Sequence, residues 1–306
     1  MTEPTIGANA PTQKSDAKPA LLGVACGLGA ALFWALGFVA TRHGLKVGFT
    51  PADLLMHRFL WSGIAFLPLV LRAGLGNLCG IGWGRGLVLM VLGGPVMSLI
   101  SYTGFLFVPL GHGSVIQPSC ATLGGLFLAA ALLKERISFS RVFGAVVIVG
   151  GLAVIGAESI GHIGPDGVLG DLIFVLTGLM FAVFGTLLRY WRVTAFSAAS
   201  VISVLSLSLL PLYAASGGPG RVAAIGLGEN ALQALGQGIL AGPAAMYLFA
   251  FSIQLLGVAR AAVFPAMVPA LTLLVGWLLL GEPPTALQAT GLVLVLSGFY
   301  LAQRQR

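Results

Sequence analysis

Ionisable and hydrogen-bonding side chains are scarce in the apolar runs of this chain, so the few that occur there are where chemistry would sit. Arg58 falls about two helical turns into the run 52–71, and an ionisable group at that depth marks a site by default. The alternative is structural: the guanidinium can snorkel to the nearer face or pair with Asp53, five residues earlier. His57 can reach the same carboxylate across one turn, which competes with a role as proton carrier. Ser98, Ser101 and Tyr102 recur at spacings of three and four and therefore share one helical face, while Tyr247 and Gln254 are polar members of a later run. These groups would line a cavity for a small amphipathic molecule. In the plainer reading, they let helices approach and bond across their interface. Gln117 and Ser119 flank Pro118, and Met267 and Pro269 follow Pro265. A proline beyond the first turn frees a carbonyl and kinks a helix, which either lines a site or only aims a hairpin. The sequence has no phosphate-cradling glycine loop, no His/Cys cluster and no nucleophile, base and acid set. Neither cofactor, metal nor catalytic residue is expected, and ATP-driven transport within the chain is not expected either.

The elements that must position these residues follow from composition. With 58% apolar and 8% charged residues, a soluble domain could not cover its surface with polar groups. A mean hydropathy of +1.00 places the chain in the membrane class. Spanning a hydrocarbon core takes about 20 helical residues, and ten such segments are predicted: 20–41, 52–71, 87–108, 113–133, 140–157, 168–188, 195–215, 232–255, 261–280 and 285–302. They are read as helices because backbone polar groups in lipid must be satisfied within their own segment. The narrowest boundaries are the reversals at Pro109-Leu110-Gly111 and Gly257-Val258-Ala259-Arg260. Residues 1–19 read as a disordered, proline-containing polar tail that is not a signal peptide. Cys26, Cys79 and Cys120 show no paired spacing and read as small buried hydrophobes. The net charge of +7 is dispersed between apolar runs, which argues against nucleic acid as a partner.

Twelve of the sixteen Lys and Arg residues fall on one side of such a bundle, among them Arg72, Arg85, Lys134, Arg189 and Arg260. The opposite side keeps Arg42, Lys46 and Arg221, so both termini are predicted to be cytoplasmic. A shift of 147 residues superposes Pro118 on Pro265, Glu135 on Glu282, Gly144 on Gly291 and Gly151 on Gly298. Each half then holds five spans. Because five is odd, the halves enter the membrane in opposite senses, an inverted repeat found in secondary transporters. Glu135 and Glu282 end their helices, where the dipole disfavours an anion. Compensation is expected from free amides of the next helix or from Arg136 and Arg141, and placement on opposite faces reads as a structural latch. Asp171 is read as a carboxylate stabilised near the start of the sixth span. Gly23, Gly27 and the glycines of the repeat read as sites of close helix contact.

These residues resemble the EamA domains of the drug/metabolite transporter superfamily. The likeness rests on Gly29 to Trp34 in the first span, Pro51 with Arg58-Phe59 in the second, and an apolar helix with an early proline ending in Leu132-Leu133-Lys134-Glu135 or Leu280-Gly281-Glu282. In both halves the proline and glutamate stand 17 residues apart, with a glycine nine further on. Lys134 departs from the usual glycine, and the second half has no aromatic equivalent of Trp34. The resemblance implies an all-α membrane protein with repeats over 20–158 and 166–302. It also implies that spans one, three, four, six, eight and nine surround a central path, which would turn Trp34 inward; packing against lipid is its other reading. The expected function is a non-enzymatic secondary permease of the cytoplasmic membrane, moving a small organic metabolite, amino acid or drug outward by alternating access. Proton coupling through a peripheral carboxylate or histidine stays open, as does the oligomeric state. A membrane-embedded lipid-modifying enzyme would need convergent acid, base or metal residues, and a scaffold or sensor would have little use for inverted repeats.

Overall fold

A computed structural model of the chain describes residues 17–303, except 133, 135–137 and 262. The predicted tail up to residue 16 and the expectations for Glu135 and Arg136 lie outside the described residues. Among the described residues there is no strand. Nine helices among the described residues are long and apolar enough to cross a membrane: α1 (Ala17–Lys46), α2 (Pro51–Ala73), α3 (Trp83–Gly104), α4 (Leu110–Ala131), α5 (Phe139–Glu158), α6 (Pro165–Trp191), α7 (Ala195–Ala215), α8 (Leu227–Leu256) and α9 (Val263–Leu280). A shorter apolar helix, α10 (Ala286–Gln303), follows. The chain is thus a polytopic membrane protein.

Local sequence sets the boundaries. Thr50 caps α2 by accepting from the Asp53 amide, Asp53 returns a carboxylate to the Thr50 amide, and Pro51 opens the helix where its missing N–H costs nothing. Gly74, at φ 95°, ends it. The predicted third span, 87–108, is corrected to a helix that starts at Trp83 and stops at Gly104. Its apolar run continues beyond the helix because Phe105 and Val108 are buried in the core, from within a turn. The fourth span starts at Leu110 rather than 113, which moves His112 into the helix, and the eighth starts at Leu227 rather than 232. Gly257, at φ 82°, makes the second tight break. Cys26 and Cys120 are buried, Cys79 is half-buried, and all three are free thiols.

Helix packing maps onto itself when α1–α5 are exchanged with α6–α10. α1 packs on α8 and α9 as α6 packs on α3 and α4, and α2 meets α8 as α7 meets α3. α5 packs on α10, and α2 on α7. At the α5/α10 crossing, a Cβ on Gly144 would stand 2.6 Å from the Gly298 carbonyl oxygen, and one on Gly298 would stand 2.7 Å from that of Gly144. Gly151 and Gly291 are related in the same way, at 2.8 and 2.9 Å. The lower-numbered glycine of α5 meets the higher-numbered one of α10, so these equivalent helices run antiparallel and touch through the same patch, as isologous contacts do. α2 and α7 are antiparallel as well, with Phe66 against Phe196 and Asp53 against Tyr213.

Two helices are broken. α3 loses helical geometry at Gly94 (φ −119°, ψ −139°) before Pro95, and α8 at Gly242 (φ −93°, ψ −109°) before Pro243, at the end of a π-helical stretch over Ala234–Ala244. Proline removes a backbone donor and its ring collides with the preceding turn, so the helix opens there. The two Gly-Pro pairs stand 148 residues apart, within one residue of the 147-residue offset of the repeat.

Candidate functional site

Between the two breaks and one end of the bundle, polar groups from four helices meet. The Tyr102 hydroxyl of α3 donates to Gln237 Oε1 of α8 at 3.3 Å. Gln237 Nε2 donates to the Gly37 carbonyl of α1 at 3.1 Å and to the Thr41 hydroxyl, which donates onward to Gly37 at 2.9 Å. One turn earlier, Gln233 Nε2 donates to the Ala40 carbonyl at 2.9 Å, while its Oε1 is buried and meets no donor among the described residues. Arg58 of α2 is half-buried, lies beside the Tyr102 hydroxyl and places its guanidinium 6.0 Å from the Phe59 ring centroid. Ser101 donates to Gln117 Oε1 at 2.9 Å, joining α3 to α4. A guanidinium, a phenol and amides inside an apolar bundle can hold the polar end of an amphipathic molecule, with oriented bonds replacing its water.

Toward the bundle end where α1 finishes and α2 starts, charged groups tie the halves together. Glu282, just past α9, receives Lys46 Nζ at 2.6 Å and Arg42 Nε at 3.1 Å; Arg42 also donates to the Phe105 carbonyl at 2.7 Å. Burial opposes the charge on Glu282, but Lys46 and Arg42 outweigh it and hold the carboxyl below its usual range. The compensating partners are therefore on α1, not at the start of α10. Asp53 is buried and takes Tyr213 at 2.7 Å and Arg221 at 3.1 Å rather than Arg58. His57 turns from Asp53 to Asn230 Oδ1, at 3.0 Å through Nε2, while its Nδ1 accepts from Trp61 at 3.3 Å. His43 reaches Glu229 at 2.8 Å. A recess of about 310 Å³ opens beside Arg42, Gly111, Glu282, Thr285 and Gln288.

Of the residues singled out from sequence, Arg58, Ser101, Tyr102 and Gln117 contribute to this network or its α3–α4 flank. Ser98 is buried one turn before Ser101. Trp34 is half-buried, edge-on to Phe249 at 5.2 Å and packed with Phe264 and Val268. Tyr247 is 62% exposed and stacks on Phe251, and Gln254 is exposed farther along α8; neither joins the network. Sequence reasoning missed Thr41, Gln233 and Gln237. The two glutamines stand four apart in an apolar run, the same one-face signal that picked out Ser98 and Tyr102. It also passed over the paired Gly-Pro breaks.

The fold and the buried polar network define a duplicated, helical membrane protein of the transporter type. The model of the EamA-like transporter family matches residues 21–157 and again 168–303, and the chain belongs to that family. An uncharacterized transporter of Archaeoglobus fulgidus is 27% identical over 283 residues, covering 90% of this chain and 96% of that protein. The uncharacterized transporter YdfC of Bacillus subtilis is 24% identical over 288 residues, covering 87% and 85%. A solved crystal structure superposes with a TM-score of 0.60 over 94% of this chain and 96% of its own, at 18% identity, a likeness of fold alone.

Proposed function

We propose that the protein is a secondary permease that moves a small organic metabolite, amino acid or drug outward across the cytoplasmic membrane by alternating access. Its ten helices are two five-helix repeats inserted in opposite senses, with both termini in the cytoplasm. The observation that carries this reading is the pair of equivalent Gly-Pro breaks in α3 and α8, beside the Arg58, Tyr102 and Gln237 network. Interrupted helices at matching places in two repeats are where transporters place a substrate. The antiparallel contact of the equivalent helices α5 and α10 supports the inversion. Trp34, Arg58, Ser98, Ser101, Tyr102 and Gln117 line the path, with Tyr247 and Gln254 at its far mouth. A site of one cation, phenol and amides suits a cargo with a polar or anionic head and an apolar body.

The test is uptake and release of a metabolite panel by the purified chain in liposomes. Movement of at least one amphipathic compound, reduced by Arg58→Gln and by Tyr102→Phe at matched protein content, is expected. No movement of any compound in either direction would sink the reading.

A further inference from the structure

Outside the central network lies a second buried polar cluster. His112, on the first turn of α4, has no exposed surface, and its Nδ1 stands 2.8 Å from Asp171 Oδ1 of α6. Its Nε2 stands 3.5 Å from Oε2 of Glu158, the last residue of α5. The side chains of Glu158 and Asp171 are only 8% and 13% exposed. Both Glu158 oxygens accept from the segment that opens α10: Oε2 from Thr285 at 2.9 Å and Oε1 from Gln288 at 3.3 Å. His112 and Glu158 belong to the first half, and Asp171, Thr285 and Gln288 to the second, so the cluster is a joint between halves. Thr285 and Gln288 also line the 310 Å³ recess, which gives the cluster a polar route to the bundle surface. The charged groups that line the recess, Arg42 and Glu282, are paired with each other, and Glu282 also with Lys46.

Bond geometry gives the cluster one obvious ligand, a proton. A carboxylate oxygen stands opposite each ring nitrogen of His112, and both carboxylates are largely shielded from water. One proton on the ring makes both ring nitrogens donors, each facing a carboxylate oxygen. Without it, one nitrogen becomes an acceptor facing an acceptor, and one of the two bridges must lengthen. Losing the Asp171 bridge loosens the start of α4 from the start of α6, at the joint between the halves. Losing the Glu158 bridge loosens α4 from the α5–α10 contact.

We propose that His112, Asp171 and Glu158 form a proton-binding site at the joint between the halves, and that its occupancy couples cargo movement to a proton gradient. The coupling rests on the permease reading; the proton site does not. In each cycle one proton binds from the side to which the recess opens and leaves after the halves have moved.

The test uses the full chain in lipid vesicles with ring-labelled histidine, followed by nuclear magnetic resonance from about pH 5 to about pH 8, the range in which imidazoles change charge. The resonance that disappears in His112→Gln is expected to titrate, with its midpoint moved by Asp171→Asn and by Glu158→Gln. If His112→Gln does not fold, the two carboxylate variants identify the same resonance by moving it alone. A His112 resonance that keeps one form across the range, or ignores both carboxylate variants, overturns the site. With a pH-sensitive dye trapped in the vesicles, an imposed gradient should drive cargo in the parent chain. In Asp171→Asn only downhill exchange should remain. Equal gradient response in parent and variant overturns the coupling. A titrating His112 in a chain that moves no cargo overturns the permease reading and leaves the proton site in place.

Discussion

Glu282 has a direct energetic role, because two cations of α1 converge on one of its oxygens. Its carboxyl is held below the unfolded value near 4.5, so the stability it adds is complete above that pH and is lost as pH falls through the lower folded value. Glu282→Gln should flatten the acid side of a thermal-stability profile in detergent and cost about 1 to 3 kcal/mol near neutrality, between an exposed and a buried ion pair. An unchanged profile would remove Glu282 from the stability of the fold. In the central network, Gln237→Leu deprives Tyr102 and Thr41 of partners and should destabilise by about 1 to 3 kcal/mol. Gln233→Leu should cost less, since one of its amide atoms already lacks a partner; equal losses in melting temperature would contradict this. The sequence disclosed Arg58 and Tyr102 because charge and hydroxyls stand out in apolar runs. It hid the partners of Tyr102, His57 and Asp53, because Gln237, Asn230 and Arg221 are brought to them by contacts between helices far apart in the chain.

At the scale of helices, the repeat glycines carry the argument. Gly144 and Gly298 each leave room only for a hydrogen where the other helix's carbonyl passes, so Gly144→Val must push backbone apart. Overpacking of this kind costs about 1 to 3 kcal/mol. Gly150→Val, six residues along the same helix with nothing within 4 Å, should leave melting temperature nearly unchanged. If both variants melt alike, the α5–α10 crossing is not what holds the halves. These glycines were legible because a 147-residue offset repeats them, whereas the end of α3 was not. Phe105 and Val108 continue its apolar run into a turn, and hydropathy cannot separate a residue buried in protein from one buried in lipid. The Gly-Pro breaks were present in the sequence at matching positions. Reinstating a backbone donor with Pro95→Ala or Pro243→Ala should raise thermal stability while slowing any transport.

Over the whole molecule, apart from the central network, a set of polar links between the halves gathers at one end of the bundle: Arg42 and Lys46 with Glu282, Asp53 with Tyr213 and Arg221, His43 with Glu229, and Glu158 with Thr285 and Gln288. The described contacts between the halves toward the opposite end include softer ones, with Arg85 lying 5.5 Å from the Trp191 ring centroid and Phe66 edge-on to Phe196. Opening the fastened end means breaking several charged bonds at once, which makes those bonds the cost of any motion that opens it. Thr41 lies beneath those links and is buried, which makes a cysteine there a reporter of opening. With Cys26, Cys79 and Cys120 replaced by serine and Thr41→Cys introduced, a membrane-impermeant thiol reagent added at the fastened end should label slowly. Combining Glu282→Gln with Asp53→Asn removes two links; if together they favour the closed form by about 2 kcal/mol, the open population and the labelling rate rise roughly 30-fold. Labelling that stays slow in the double variant would mean that this end is held shut by apolar packing around Phe105 and Leu110, and that the charged links are incidental to its motion.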